Sequence, residues 1–281
     1  MKITHDLHIH TTLSSCCKDT EATVQHYMEK ARQLGLDKIA FTDHLWDSAI
    51  PLGNEWYRPQ DVAHVLQLKQ TVEAARKEAD TPRILFGCET EYDYAHHAPA
   101  LTEEAAAQFD IVLFPNSHTH LTTPDGLRDD KKAHARFMFG AFMDAVNSPV
   151  SRYITVMAHP FMAVCCPYDN RELLPLVSDN QYRECFSAAK EKNIAIEINM
   201  SNFKRHNRAE NPLTEFVYDL PALYDDPILH LFELAKECGC RFTFGSDAHA
   251  VSTPSLNHWH ATYMIAELLG LTDDDIADIA K

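Results

Sequence analysis

Residues 3–11 read Ile-Thr-His-Asp-Leu-His-Ile-His-Thr, a short apolar and β-branched run that ends among histidines. A run of this kind predicts a buried strand, which we place at Ile3–His8. His8 and His10 are two positions apart, so in an extended chain both side chains point to the same side. The first strand therefore predicts a pair of metal ligands at its carboxyl end.

Six further runs of this type alternate with longer segments of helical spacing. The remaining strands are predicted at Lys38–Thr42, Arg83–Cys88, Asp110–Phe114, Tyr153–Ala158, Ala195–Asn199 and Arg241–Gly245. The helices are predicted at Thr20–Leu34, Pro59–Ala79, Lys131–Val146, Asn180–Lys192, Pro227–Glu237 and His258–Leu269. This alternation implies parallel strands joined by crossover helices. Because no linker is obvious, we expect residues 1–281 to form one α/β domain, a barrel similar to a TIM barrel.

The longest irregular stretch is Ser201–Asp226, which carries prolines and mixed charges. Long loops in compact domains are usually functional. We therefore expect this segment to extend over the mouth of the barrel.

Composition excludes some functions. The formal net charge of −16 disfavours binding to nucleic acid, although bound metals could still attract an anionic substrate into one pocket. No stretch is long and apolar enough for a membrane span, and residues 1–10 lack the basic and apolar pattern of a signal peptide. We therefore expect a cytoplasmic protein whose eight cysteines are reduced.

Almost every predicted strand is followed by His, Asp or Glu. These residues are His8 and His10, Asp43 and His44, Glu89 and Glu91, His118 and His120, His159, Glu197, and Asp247 and His249. The carboxyl ends of parallel barrel strands open onto one face, so the fold would collect these side chains in one pocket. Imidazoles and carboxylates bind Zn, Mn or Fe. The number of ligands exceeds the need of one tetrahedral ion, so we expect two or three divalent metal ions.

Single residues also admit plainer interpretations. A lone histidine at a strand end is usually solvated or hydrogen-bonded within the core. Glu91 and His120 could face outward as neighbours of a ligand, and Asp43 could orient His44. Ligand-type side chains at seven separate strand ends favour the collective interpretation.

Several motifs together resemble the PHP (polymerase and histidinol phosphatase) domain family. They are Asp6-Leu7-His8-Ile9-His10-Thr11, Thr42-Asp43-His44, Glu89 after Gly87-Cys88, Asn116-Ser117-His118, Ala158-His159-Pro160 and Gly245-Ser246-Asp247-Ala248-His249. The resemblance implies a distorted seven-stranded (β/α) barrel. It also implies three sets of metal ligands: His8, His10, Glu89 and Asp247 for one ion, the bridging Glu89 with His118 and His159 for a second, and His44 and His249 for a third.

One position departs from the family pattern. Cys16 stands where many three-metal members have a further histidine. A thiolate can bind zinc, so the third site could be kept with a sulfur ligand. Cys17 or Asp19 could serve instead, or the third site could be weak.

A second similarity concerns the substrate. Glu197-Ile198-Asn199, followed by Ser201 and Lys204-Arg205, resembles the histidinol-phosphatase branch, in which a basic residue after this strand binds phosphate. Lys204 and Arg205 are therefore the predicted substrate-binding residues. Alternatively, they form a solvated basic patch with Arg208, and Lys18 or Arg128 takes their place.

These residues predict a metal-dependent phosphoric ester hydrolase. The expected nucleophile is a metal-bound hydroxide held by Glu89 and Asp247, with Cys16 or Cys88 disfavoured as covalent nucleophiles. The expected partner is a small-molecule phosphate monoester, histidinol phosphate first, and neither nucleic acid nor membrane. The alternatives are a nucleotide phosphatase or phosphodiesterase of the same family, and a non-catalytic metal-binding regulatory domain.

Overall fold

Seven parallel strands form a nearly closed barrel, so the predicted α/β barrel is confirmed. The computed structural model describes residues 1, 3–164, 166–211 and 215–281. The barrel strands follow one another around the sheet in chain order. They are β1 (His5–Ile9), β2 (Lys38–Leu45), β3 (Arg83–Thr90), β6 (Ile111–Pro115), β7 (Val156–Ala158), β8 (Ala195–Asn199) and β9 (Phe242–Gly245). Two short strands outside the barrel, β4 (Tyr92–Asp93) and β5 (Ala98–Pro99), form an antiparallel hairpin that the sequence did not predict.

The barrel closes just beyond the end of β9. Ile9 and Ala248 form a parallel bridge there, and the Asp247 amide donates a 2.9 Å hydrogen bond to the carbonyl of His8. The register between β1 and β2 shifts between Asp6 and Ile9. This closure carries Asp247 directly beside the histidines at the end of β1.

Helices cover the outside of the barrel. They are α1 (Val24–Leu34), α2 (Val62–Val65), α3 (Leu68–Ala75), α4 (Glu103–Ala106), α5 (Lys131–Asn147), α6 (Asn170–Leu173), α7 (Asp179–Glu191), α8 (Leu220–Tyr224), α9 (Pro227–Glu237), α10 (Pro254–Asn257) and α11 (Ala261–Leu268). Short 3₁₀ turns lie at Glu55–Tyr57, Leu127–Asp129, Pro149–Arg152, Leu174–Leu176, Met200–His206, Asp273–Asp275 and Asp278–Ala280. Within the described ranges, no helix is long and apolar enough to cross a membrane.

The predicted helix Pro59–Ala79 is divided into α2 and α3. The Asp61 side chain caps α2 by accepting a 2.8 Å hydrogen bond from the amide of His64. Between the two helices, the amides of Gln67 and Lys69 donate to carbonyls only three residues back, which is the tighter 3₁₀ pattern. The apolar spacing of the sequence is therefore retained, while the regular α-helix is interrupted.

The segment Ser201–Asp226 begins at the carboxyl end of β8. Its first part, the turn Met200–His206, packs beside α10, and Asn207 pairs with Tyr218 across the loop. Residues 212–214 lie outside the described part of the chain.

Candidate metal centre

All eight predicted ligands meet in one cluster at the carboxyl ends of the barrel strands. They form four overlapping groups, and within each group the ligand atoms lie within 4.8 Å of one another. The groups are His8, His10 and Asp247; His8, Glu89 and His159; His44, Glu89, Glu91 and His118; and His10, His44 and His249. Residues far apart in sequence are thus collected by the parallel strand order.

The ligand atoms of the first group, together with one Glu89 oxygen, converge on one point, as the ligands of a single ion do. The Nε2 atoms of His8 and His10 are 3.1 Å apart. One Asp247 oxygen lies 3.3 Å from Nε2 of His10 and 3.6 Å from Nε2 of His8. One Glu89 oxygen also lies 3.6 Å from Nε2 of His8. Two imidazoles and two carboxylates therefore face one point.

Glu89 lies at the centre of the cluster. Its side chain is fully buried, with one oxygen 3.0 Å from Nε2 of His159 and the other 3.1 Å from Nδ1 of His44. Burial alone would raise the pKa of this carboxyl group, but the imidazoles of His118 and His8 hold it well below its usual range. The ionised carboxylate presents its two oxygens to different sets of histidines, as a bridging ligand requires.

Several central atoms are buried without a hydrogen-bond partner. These atoms are both oxygens of Glu89, Nδ1 of His44 and Nε2 of His159. They lie close to one another, but not in the geometry of a hydrogen bond. Unpartnered buried polar atoms are rare and costly in folded proteins. Divalent cations would satisfy these atoms, and imidazole with carboxylate is a donor set that suits Zn, Mn and Fe. The residues therefore fit a multinuclear metal site.

A second layer of hydrogen bonds orients two of the histidines. Nδ1 of His8 donates to Glu197 at 2.8 Å, and Glu197 also accepts from the amide of His159 at 2.6 Å. Nδ1 of His159 lies 2.6 Å from the Ser117 hydroxyl. Because each Nδ1 is engaged, each Nε2 is left to face the centre, which is how metal-binding histidines are usually held.

Glu197 is close-packed against Gly245 of the neighbouring strand. A Cβ at position 245 would lie 1.9 Å from Oε1 of Glu197 and 2.7 Å from Cβ of His8. Any larger side chain would therefore displace the carboxylate that orients His8.

Asp43 is linked to the histidines through hydrogen bonds with the loop after β1. Its oxygens accept hydrogen bonds from the Thr11 amide and hydroxyl, both at 2.7 Å, and from the Ser14 hydroxyl at 2.6 Å. The Ser14 hydroxyl lies 3.0 Å from Nδ1 of His10. Asp43 thus orients His10 through Ser14, and the same hydroxyl accepts from the His44 amide at 3.2 Å, so the expected link to His44 also runs through Ser14.

Glu91 faces inward, so its outward-facing interpretation is wrong. The side chain is fully buried, and its oxygens accept from Nδ1 of His118 at 3.0 and 3.1 Å. A Glu91 oxygen also lies 3.1 Å from Nδ1 of His44. The signal was present in the sequence, since Glu89 and Glu91 have the same two-residue spacing as His8 and His10. The ring of His120 is only half-buried and packs edge-on against His118.

The backbone is strained at two of the candidate ligands. His159 has φ 26° and Asp247 has φ 52°, values that residues with a side chain rarely adopt. Such strain persists only where the surroundings enforce it and is common at functional sites.

Comparison with known proteins agrees with this geometry. The family model of the PHP domain matches residues 6–201. The chain belongs to the PHP domain family. Comparison with curated proteins gives no match.

Two solved structures share the PHP barrel over nearly the whole chain. Histidinol phosphate phosphatase from Lactococcus lactis, solved with zinc, L-histidinol and phosphate, is 20% identical with a TM-score of 0.63, and covers 98% of this chain and 99% of its own. A candidate histidinol phosphatase from Listeria monocytogenes is 15% identical with a TM-score of 0.66, and covers 92% and 99%. At these identities the likeness shows the fold.

Cys16 contacts a histidine ring of the candidate metal centre, whereas Cys17 and Asp19 make hydrogen bonds with the backbone. Sγ of Cys16 lies 3.0 Å from Nε2 of His249. Burial alone would raise the pKa of this thiol, but hydrogen bonds with His249 and His44 lower it to about 6. Cys17 donates its thiol hydrogen to the carbonyl of His249, and Asp19 accepts from the Val251 amide at 3.1 Å.

The predicted substrate-binding pair lies outside the ligand groups. Lys204 is exposed. The Arg205 guanidinium donates to the buried carboxylate of Asp226, through Nε at 2.9 Å and through Nη2. His206 lies 2.7 Å from the same oxygen. Arg205 therefore anchors the loop after β8, and a phosphate-binding role for Lys204 and Arg205 stays a prediction.

Proposed function

We propose that this PHP protein is a metal-dependent phosphomonoesterase that acts on a small molecule, with histidinol phosphate as the leading candidate. The observation that carries the proposal is the group of buried, unpartnered ligand atoms around Glu89. A regulatory domain without turnover would have little need of all eight candidate ligands and the hydrogen bonds that orient them. The two or three ions would be Zn, Mn or Fe.

The protein side chains have distinct tasks in this reaction. Divalent ions would supply Lewis acidity toward phosphoryl oxygens and lower the pKa of water. Glu89 would set the spacing of the reacting groups, because it contacts histidines from more than one strand end, and Asp247 would fix the side of the centre that faces His8 and His10. Burial of Glu89 and Glu91 strengthens every electrostatic interaction at the centre, since little water screens it.

The choice of substrate rests on two supports. The Lactococcus lactis protein, which shares the fold, was solved with L-histidinol and phosphate. Lys204 follows the strand β8 and is exposed, so its ammonium group is free to meet a phosphate dianion. We propose that Lys204 carries this contact and that Arg205 holds the loop in place.

A cytoplasmic location is part of the proposal. The seven cysteines in the described ranges are all free thiols, as expected in a reducing compartment.

The decisive experiment is elemental analysis of the purified protein, paired with phosphate release from histidinol phosphate and from a panel of nucleotides. Two or three metals per chain with turnover of histidinol phosphate would support the proposal in full. Turnover of nucleotides alone would replace the substrate by the nucleotide alternative. Metal binding without turnover of any ester would favour the regulatory domain.

Lys204→Ala tests the substrate contact. We expect KM for the phosphate ester to rise about 10-fold or more, since a charge-assisted contact is worth about 1.5–3 kcal/mol. Arg208→Ala is the matched control, because it removes a neighbouring exposed cation that pairs with Asp219. An equal change in KM for both variants would contradict a specific phosphate contact and would indicate that Lys204 is part of a solvated basic patch.

A further inference from the structure

A partly buried tryptophan lies at the edge of the candidate metal centre. Trp56, in the 3₁₀ turn that follows β2, packs edge-on against the ring of His44, with 5.5 Å between the ring centroids. The next residue, Tyr57, is fully buried. Burial raises the pKa of the Tyr57 hydroxyl well above its usual range, and the nearby Glu91 carboxylate adds to this effect. The two aromatic residues therefore border the centre at His44 and at Glu91.

The apolar side chains around Trp56 form a small cluster of their own, separate from the main hydrophobic core. Its partly buried members are Ile50, Leu52, Trp56 and Leu121, which pack against the buried Trp46, Tyr57 and Ala100. We call the four partly buried residues the apolar wall. An apolar surface beside polar groups that converge on one point is typical of a small-molecule site.

Hydrogen bonds between three loops hold the apolar wall in place. The Asn54 side chain donates to the carbonyl of Leu121 at 3.1 Å, which ties the loop after β2 to the loop after β6. The Gln60 side chain donates to the carbonyl of Trp56 at 3.1 Å and accepts from the Ser15 amide, in the loop after β1, at 2.8 Å. A surface fixed before a ligand arrives loses little entropy on binding.

We propose that Trp56 is a specificity-determining residue that selects phosphate esters whose alcohol portion carries a planar ring. The inference rests on the proposed function and specifies the organic part of its substrate. Because Trp56 contacts the candidate ligand His44, an ester whose phosphate lies at the centre would place its alcohol portion against the apolar wall. An indole packs favourably with another planar ring, and the uncharged side chains of the wall select by shape and apolar area.

A second aromatic pair does not replace Trp56. In the segment after β8, the rings of Phe216 and Tyr218 have centroids 3.9 Å apart, and Phe216 packs on His258 at 5.0 Å. His258 belongs to none of the ligand groups among the described residues. Within the described ranges, Trp56 is therefore the ring other than histidine that packs on a candidate ligand.

The test compares two phosphonates on the full chain loaded with Zn²⁺. Phenylphosphonate and methylphosphonate present the same anionic group, but only the first carries a ring. Calorimetry should show phenylphosphonate binding about 10-fold more tightly, because an aromatic pair is worth up to about this factor. Phenylphosphonate should also protect tryptophan fluorescence from acrylamide. The reason is that Trp56 is the partly exposed one of the three tryptophans, all of which lie in the described ranges.

Substitutions at Trp56 separate contact with the ring from support of the centre. Trp56→Ala should weaken phenylphosphonate binding about 10-fold, to the affinity of methylphosphonate, whereas Trp56→Phe should keep most of the preference. Tyr263→Ala is the matched control, because it removes an exposed aromatic ring whose hydroxyl bonds the carbonyl of Ile3, ahead of β1. It should keep the full preference.

The inference is overturned if the wild type binds both phosphonates equally, or if Trp56→Ala weakens both by the same factor. The second result would make Trp56 a support for His44. Phosphate release from phenyl phosphate and ethyl phosphate is measured in parallel. Hydrolysis of both esters with equal KM would overturn this inference alone, whereas neither binding of a phosphonate nor hydrolysis of an ester would overturn the proposed function as well.

Discussion

The substitution Glu197→Gln tests whether hydrogen bonds behind the ligands control metal affinity. Glu197 is not itself among the ligand groups, but it is buried and accepts from Nδ1 of His8 at 2.8 Å and from the His159 amide at 2.6 Å. Glutamine has nearly the same shape, but its single carbonyl oxygen can replace only one of the two acceptors, since Oε1 accepts from His8 and Oε2 from the His159 amide. The change therefore keeps the side-chain volume while removing the charge that makes His8 a more basic ligand, together with one of the two hydrogen bonds.

The expected loss follows from the number of ligands that Glu197 holds. Partners behind a metal-binding histidine typically account for about 10- to 100-fold in metal affinity. At about 1.4 kcal/mol for each factor of ten, this is about 1.4–2.8 kcal/mol. Because Glu197 contacts both His8 on β1 and the amide of His159, just beyond β7, we expect the upper end of the range.

The assay is competition for Zn²⁺ between the protein and a chromophoric chelator. Asp226→Asn is the control, since it neutralises another buried carboxylate, one that serves Arg205 and His206 rather than the ligand groups. It should lower the free energy of unfolding while leaving zinc affinity unchanged. If Glu197→Gln binds zinc as tightly as wild type, or if both variants lose affinity equally, the orienting role of Glu197 is refuted.

Three further outcomes are expected. Burial, with a smaller contribution from Lys38, lowers the pKa of His5 from 6.5 to about 3. Between these pH values the unfolded chain binds a proton that the folded chain does not, so the folded state loses stability as the pH falls. This can be measured by urea unfolding of chelator-treated protein. Between about pH 7 and pH 5, the free energy of unfolding of the wild type should fall by about 2 kcal/mol more than that of His5→Gln, and an equal fall in both would contradict this. Gly245→Ala should lower the melting temperature and the zinc affinity together, because its Cβ would overlap Glu197, and a normal metal content would show that the strands can move apart. His159→Ala should keep its circular dichroism spectrum but lose hydrolysis, whereas global unfolding would make His159 a structural residue.

The barrel could be predicted because its determinants are local. Each strand is a short apolar run with His, Asp or Glu at or near its carboxyl end, and the helix Pro227–Glu237 was predicted with its observed bounds. Parallel order then brings the strand ends together without any need to know the loops. The division of Pro59–Ala79 depends instead on a change from α to 3₁₀ hydrogen bonds, which the spacing of apolar residues does not reveal.

The gathering of the candidate ligands at one end of the barrel could also be predicted, but their supporting contacts could not. Asp43 bonds Thr11 and Ser14, which lie in the loop after β1, so its partners depend on how that loop turns. The pairing of Arg205 with Asp226 joins two ends of a long irregular segment for the same reason. Glu91 is a different case, since its two-residue spacing from Glu89 already placed both side chains on one face.

The charge of the centre bears on how an acidic chain can bind an anion. Glu89, Glu91 and Asp247 gather negative charge at the same strand ends where a phosphate group would have to lie. Lys204, which is exposed, cannot offset these three carboxylates alone, because solvent screens it more strongly than it screens the buried Glu89 and Glu91. Two divalent cations bound among these carboxylates would reverse the sign of the local field. Metal occupancy, rather than the few basic residues at the rim, would then decide whether a phosphate ester enters, and the net charge of −16 would be compatible with an anionic substrate.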